Sequence, residues 1–243
     1  MLYHFYEYGR QTLRPLRLAA DQGRQIFRHP ANPFAYTPAG QMAAAACEVL
    51  EHSTRYYSKP SFGLTSTVIE GDETEVSEEI VLRKTFGQLK YFRRGCAPKQ
   101  EKLLIVAPMS GHFATLLRGT VEAMLPHYRV YITDWRDAKM VPLSQGHFDL
   151  NDYVDYVVEF LEFLGPDVHV MAVCQPSIPA LAALALMEEE NHPSLPASLI
   201  LMGGPIDSRI NPTQVNEFAT SRPLSWFKHN VISMVPAPNP GVF

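Results

Sequence analysis

The sequence has little cysteine and little charge. Only three cysteines, Cys47, Cys96 and Cys174, stand among its 243 residues. An odd number with no C-x-x-C spacing excludes a disulfide framework and a cysteine-ligated metal site. Free thiols suit a reducing cytoplasm. The 9 histidines show no H-x-x-x-H spacing, so no metal and no cofactor is expected. Charged residues make up 19%, below the usual quarter or so. Lys plus Arg is 21 against 25 for Asp plus Glu, a net charge of −4, which argues against a nucleic-acid partner. Long apolar runs are missing too. The longest, Pro179–Met187, is less than half of the ~20 residues a membrane-spanning helix needs. The opening Met1-Leu2-Tyr3-His4-Phe5-Tyr6-Glu7-Tyr8 has neither the basic start nor the apolar stretch of a signal peptide. These absences predict a soluble cytoplasmic protein. What is present is a hydrophobic content of 46%, enough for a sizeable core. Proline is high at 20 residues, about 8% where ~5% is typical.

Residues 1–62 read as a helical extension, separate from a core at 63–243. Arginines at 10, 14, 17, 24 and 28 outnumber the acids there, as on a helix with a solvated basic face. A proline-rich break at Pro30, Pro33 and Pro38 precedes a helix predicted over 41–57. Strand-like segments follow at Thr65–Ile69, Glu79–Leu82 and Leu89–Phe92, with a turn at Gly71-Asp72-Glu73. From Leu103 the pattern alternates. Strands at 103–107, 129–135, 168–173 and 199–202 are interleaved with helices at 113–125, 151–164 and 177–190. Gly165-Pro166 stops the second of these helices. Such alternation implies an α/β fold, a mostly parallel sheet with helices on both faces. Only four strands follow residue 103. With the Pro-rich end 236–243, this predicts a sheet incomplete at its C-terminus, and hence an N-terminal fragment of a longer enzyme.

The most informative stretch is Val170-Met171-Ala172-Val173-Cys174-Gln175-Pro176-Ser177. A buried strand ends in a nucleophile and a helix begins directly after it, the setting of a nucleophile elbow. The helix N-terminus supplies backbone N–H groups and the positive end of a dipole, which favour a thiolate. Pro176 and Pro179 are tolerated because first-turn N–H groups have no helical partner. The pattern departs from G-x-S-x-G at each fixed position. Acyl transfer on this topology also needs two oxyanion donors. One is the amide of Gln175. The other comes from Ala107-Pro108-Met109-Ser110-Gly111-His112, at Met109 or Ser110.

Several segments together resemble the intracellular polyhydroxyalkanoate (poly-3-hydroxybutyrate) depolymerase family. They are Met1-Leu2-Tyr3, Ala107–His112, Ala114–Arg118, Tyr131-Ile132-Thr133-Asp134-Trp135, Val173-Cys174-Gln175-Pro176, Met202–Asp207 and Asn211-Pro212-Thr213. The Val-Cys-Gln-Pro segment is the most specific of these. The resemblance implies an α/β-hydrolase in which Cys174 attacks the polyester carbonyl, assisted by a histidine that an aspartate holds. It implies 3-hydroxy acid monomers or oligomers as products and a polymer granule as partner.

The family's histidine and aspartate lie downstream of the elbow, and no local residue replaces them. His192 sits at the far end of the helix leaving the elbow, and His229 in Pro-flanked sequence read as loop. Asp134 and Asp207 follow strand ends and read as solvated or capping carboxylates. The missing histidine keeps two other readings open. One is a non-catalytic granule-associated protein. The other is a synthase-like hydroxyacyl transferase, against which Pro176 argues.

Overall fold

The structure, a computed structural model, describes residues 5, 8–9, 12–55, 58–95, 100–109 and 113–232. The chain divides into two compact units, one formed from the residues up to Ser58 and one from Lys59–Ile232.

In the first unit, helices α1 (Arg14–Arg28) and α2 (Pro38–Thr54) pack as a pair. They approach closely at Gly23, where a Cβ would lie 3.0 Å from Cys47 Sγ. Arg28 pairs with Glu48 across the two helices. Pro38 does not extend the break. It occupies the first turn of α2, with Thr37 accepting from the Gly40 N–H as N-cap, so the helix starts three residues before the expected Gln41.

The second unit is built on one seven-stranded sheet of order β1-β2-β3-β5-β4-β6-β7. Its strands are β1 (Ser66–Ile69), β2 (Asp72–Arg83), β3 (Gly87–Arg94), β4 (Lys102–Val106), β5 (Arg129–Trp135), β6 (Val168–Val173) and β7 (Ser198–Met202). The pairings β1–β2, β2–β3 and β3–β5 are antiparallel, and β5–β4, β4–β6 and β6–β7 are parallel. Strands β2, β4, β5, β6 and β7 therefore share one direction, and β1 and β3 oppose it. The β1–β2 turn is tighter than expected. Glu70 and Gly71 make it at φ 53° and 96°, and Asp72 is already strand.

Helices α3 (Arg118–Met124), α4 (Leu150–Leu164) and α5 (Ser177–Glu189) connect the parallel strands. Two further short helices, α6 (Gln214–Thr220) and α7 (Leu224–Asn230), follow β7. Helix α4 forms because its apolar residues recur at helical spacing, burying Tyr153, Val157, Phe160, Leu161 and Leu164. Asp149 and Asp152 build a capping box at its start. Gly165, at φ 71°, ends it. Side chains alternate across the central strand. Leu104 and Val106 face the core covered by α4 and α5, and Leu103 and Ile105 face the core covered by α3. Helices thus cover both faces of a mostly parallel sheet of α/β-hydrolase order.

This connectivity fixes where a site can form. The chain leaves β4 toward β5 with α3 on one face. It returns past β4 to β6 with α4 on the other. The two crossovers separate at the carboxyl end of β4, opening a crevice there.

Candidate active site

Cys174 follows the last residue of β6, at the carboxyl edge. Its φ is 68°, a left-handed conformation that costs a residue with a Cβ roughly 1–2 kcal/mol. Hydrogen bonds hold it there. The Cys174 N–H donates to Met202 O on the neighbouring strand at 2.8 Å, and the Ser177 N–H donates back to Cys174 O at 3.1 Å. The sharp turn leaves the thiol exposed. Helix α5 begins three residues later, with Pro176 as its N-cap and Pro179 in its first turn. Strand and helix thus meet at Cys174 as the sequence predicted, with the strained turn between them.

The loop after β4 is the facing wall. Its first residue, Ala107, is pinned on all sides. Its N–H donates to Thr133 Oγ1 at 2.9 Å. Its carbonyl accepts from Trp135 Nε1 at 2.8 Å and from the Tyr153 hydroxyl at 3.2 Å. Burial pushes the Tyr153 phenol well above its ordinary pKa, so it stays a neutral donor. Local pattern carries no sign of this anchoring, because its members come from β5 and α4. Tyr153→Phe removes one of the two donors and is expected to cost about 1 kcal/mol. Urea denaturation measures that loss, and an unchanged midpoint would discount the anchor.

The structure brings two of the named oxyanion residues together. The Met109 N–H donates to the side-chain Oε1 of Gln175 at 3.0 Å, tying the loop to the elbow. Ser110, the alternative donor, lies outside the described residues, as do Gly111, His112 and Cys96.

The other candidates lie elsewhere or do something else. His192 sits just past the end of α5 and bonds Glu162 at 3.1 Å, roughly 20 Å from the elbow along thirteen helical residues. His229 is not in a loop. It belongs to α7 and bonds Ser225 O at 2.6 Å. Among the described residues, no histidine hydrogen-bonds the Cys174 thiol. Asp134 corrects the expectation of a solvated carboxylate. It is fully buried on β5, paired with Lys59 and accepting from Gln88 Nε2 at 2.8 Å. Both partners are distant in sequence, which is why the pairing could not be read there. Asp207 is an exposed-loop carboxylate. Its pairing with Arg209 holds it below the usual range.

Of metal-ligating groups, His147, Asp149 and Asp152 have ligand atoms within 4.8 Å of one another. Both carboxylates are already engaged in capping α4. Among the described residues, no helix is long and apolar enough to cross a membrane.

Parts of the chain are similar to solved structures. A carboxylesterase from Bacillus subtilis is 14% identical with a TM-score of 0.40, over 61% of this chain and 50% of that one. A bacterial membrane phospholipase A is 19% identical with a TM-score of 0.37, over 53% and 40%. Brefeldin A esterase, a bacterial protein, is 15% identical with a TM-score of 0.36, over 60% and 42%. The chain spans half or less of the length of these three structures. No curated protein matches it. A family model does: residues 203–243 match the family described as PHB de-polymerase C-terminus. The resemblance to the polyhydroxybutyrate depolymerase family is borne out by that match over 203–243, the stretch holding most of Met202–Asp207 and all of Asn211–Thr213, on a sheet of α/β-hydrolase order.

Proposed function

We propose that the chain is a carboxylic ester hydrolase of cysteine type, acting on poly-3-hydroxyalkanoate at the cytoplasmic polymer granule. The observation that carries this reading is the exposed Cys174 thiol, held at a left-handed φ between β6 and α5. A buried structural cysteine gains nothing from such a backbone, whereas a nucleophile is lifted by it toward incoming substrate. The family match at 203–243 supports the polyester as substrate.

In the proposed reaction Cys174 gives its proton to a base, and Sγ bonds the ester carbonyl carbon. The carbonyl electron pair becomes an oxyanion. The amides of Gln175 and of Ser110 receive it, the Met109 N–H being held by the Gln175 side chain. Collapse breaks the C–O bond. The departing alkoxide takes up a proton and leaves an acyl thioester. Water then adds, the C–S bond breaks, a 3-hydroxy acid departs and the thiol regains its proton. Protein that carries this chain together with the histidine and aspartate the resemblance implies is expected to release 3-hydroxybutyrate from amorphous polyhydroxybutyrate granules. Equal release by Cys174→Ala would overturn the reading.

The Gln175 carboxamide acts in this scheme as a positioning group. Gln175→Met keeps its length and removes the acceptor for Met109. Losing one hydrogen bond of about 1 kcal/mol is expected to lower kcat roughly fivefold with KM little changed. Steady-state kinetics on a soluble ester checks this, and an unaltered kcat would remove the side chain from the machinery.

A further inference from the structure

A second cavity opens on the same carboxyl edge. It measures about 250 Å³ and is lined by Phe86, Met109, Val141, Leu143 and Phe148, with Arg136 at its mouth. Each wall reaches it for a topological reason. Phe86 lies on the turn between β2 and β3, Met109 follows β4, and 136–148 follow β5. Those positions all lie at the end of the sheet where β6 delivers Cys174. Strand β4 is the immediate neighbour of β6, so the Met109 wall of the cavity stands beside the nucleophile's strand, and the cavity extends from there toward β5 and β3.

Met109 joins the two features. Its backbone N–H is tied to Gln175, the residue next to Cys174, and the residue lines the cavity. The floor is firm. The Phe148 ring packs against Phe86 at 5.1 Å and against Trp135 at 5.8 Å. The Trp135 indole is itself fixed to Ala107. Val141 is buried beneath and Leu143 stands exposed at the rim.

We infer that this cavity is the acyl subsite, binding the short branched alkyl unit whose carbonyl is presented to Cys174. The inference rests on the ester-hydrolase reading and names which part of the substrate goes where. The inner walls, Phe86, Met109, Val141 and Phe148, are apolar and suit an alkyl group, while the polar lining side chains Arg136 and His147 are exposed. The volume holds roughly eight heavy atoms at ~30 Å³ each. One 3-hydroxybutanoyl unit, with six heavy atoms, fits within it. The Arg136 guanidinium is held at the mouth by Thr85 O at 2.9 Å, where it meets the polar ester backbone rather than the alkyl branch.

The test separates binding from turnover. The probe is 3-hydroxybutanamide, an unreactive mimic of one acyl unit, added to full-length protein carrying ¹³C-methyl methionine. The Met109 methyl signal, identified by its loss in Met109→Leu, is expected to shift with saturation. Leu143→Trp, which closes the rim from an exposed position, is expected to weaken binding at least tenfold. Val141→Phe, filling the floor, should do the same. An unchanged rate of Cys174 alkylation by iodoacetamide shows that the elbow of each variant is intact. No shift at Met109, or a shift unaffected in both variants, overturns the subsite. Failure of the parent reading looks different: Cys174→Ala would hydrolyse esters as well as the parent while the methyl shift persists.

Discussion

Cys174→Ala is expected to lower ester turnover by about a thousandfold or more, the scale seen when an activated nucleophile is removed from a hydrolase. Alanine keeps the Cβ, so it keeps the strain at φ 68°. Cys174→Gly separates chemistry from backbone. Glycine adopts positive φ about as readily as negative, so this variant loses the thiol and the strain together. It is expected to be about 1 kcal/mol more stable than Cys174→Ala, a melting temperature roughly 2–4 °C higher for a chain of this size. Both variants should be inactive. Calorimetry alongside granule hydrolysis reads both effects. If glycine proved the less stable of the two, the turn would not be strained by its Cβ and the mechanical basis of the elbow would fail. Substantial turnover in either variant would remove the thiol from the reaction.

The parts of this fold legible in the sequence are those written in local pattern. Strands β5 and β6 run at Arg129–Trp135 and Val168–Val173, as their continuous apolar and β-branched residues indicate. Helix α4 differs from expectation by one residue, because its period is strong and Gly165-Pro166 marks its end. For strand β2 local pattern indicates only Glu79–Leu82. The strand extends to twelve residues, and its acidic half is held by cross-strand partners that sequence does not reveal, Lys90 for Glu78 and Arg93 for Glu79. The helix expected at 113–125 is a 3₁₀ turn followed by the short α3. Helices α6 and α7 went unread because their apolar residues, among them Val215, Phe218 and Leu224, are exposed and trace no buried stripe.

At the site, the nucleophile and its loop were legible because strand, small residues and helix start lie close together in the chain. The backbone angle of Cys174 was not, since it follows from tension between a ladder bond to β7 and the start of α5. The same holds for Asp134, whose buried charge depends on Lys59, and for the pinning of Ala107. Each is a long-range arrangement, and local sequence carries no term for it.

Gly204 carries the second large expected effect. It lies just past β7, inside the segment that matches the depolymerase family. A Cβ on it would stand 2.0 Å from Ser177 Oγ, 2.1 Å from Ser177 Cβ and 3.0 Å from Cys174 O. Ser177 is fully buried, so it cannot swing into solvent. Its N–H also closes the elbow turn on Cys174 O. A methyl group there must therefore push either the start of α5 or the carbonyl of the nucleophile. Gly204→Ala is expected to destabilise the chain by about 2–3 kcal/mol, as overpacking of a tight interior does. It should also cost activity beyond the loss of folded protein, because the displaced atoms hold the thiol in place. The partner substitution makes the argument specific. Ser177→Gly removes both atoms that the new methyl would strike, at a cost of about 1 kcal/mol for glycine in a first helical turn. The double variant Gly204→Ala/Ser177→Gly should thus be more stable than Gly204→Ala alone and should recover ester turnover, a coupling of about 1–2 kcal/mol between neighbouring sites. Simple addition of the two single effects would mean that the chain after β7 does not brace the elbow, and that Gly204 is small for some other reason.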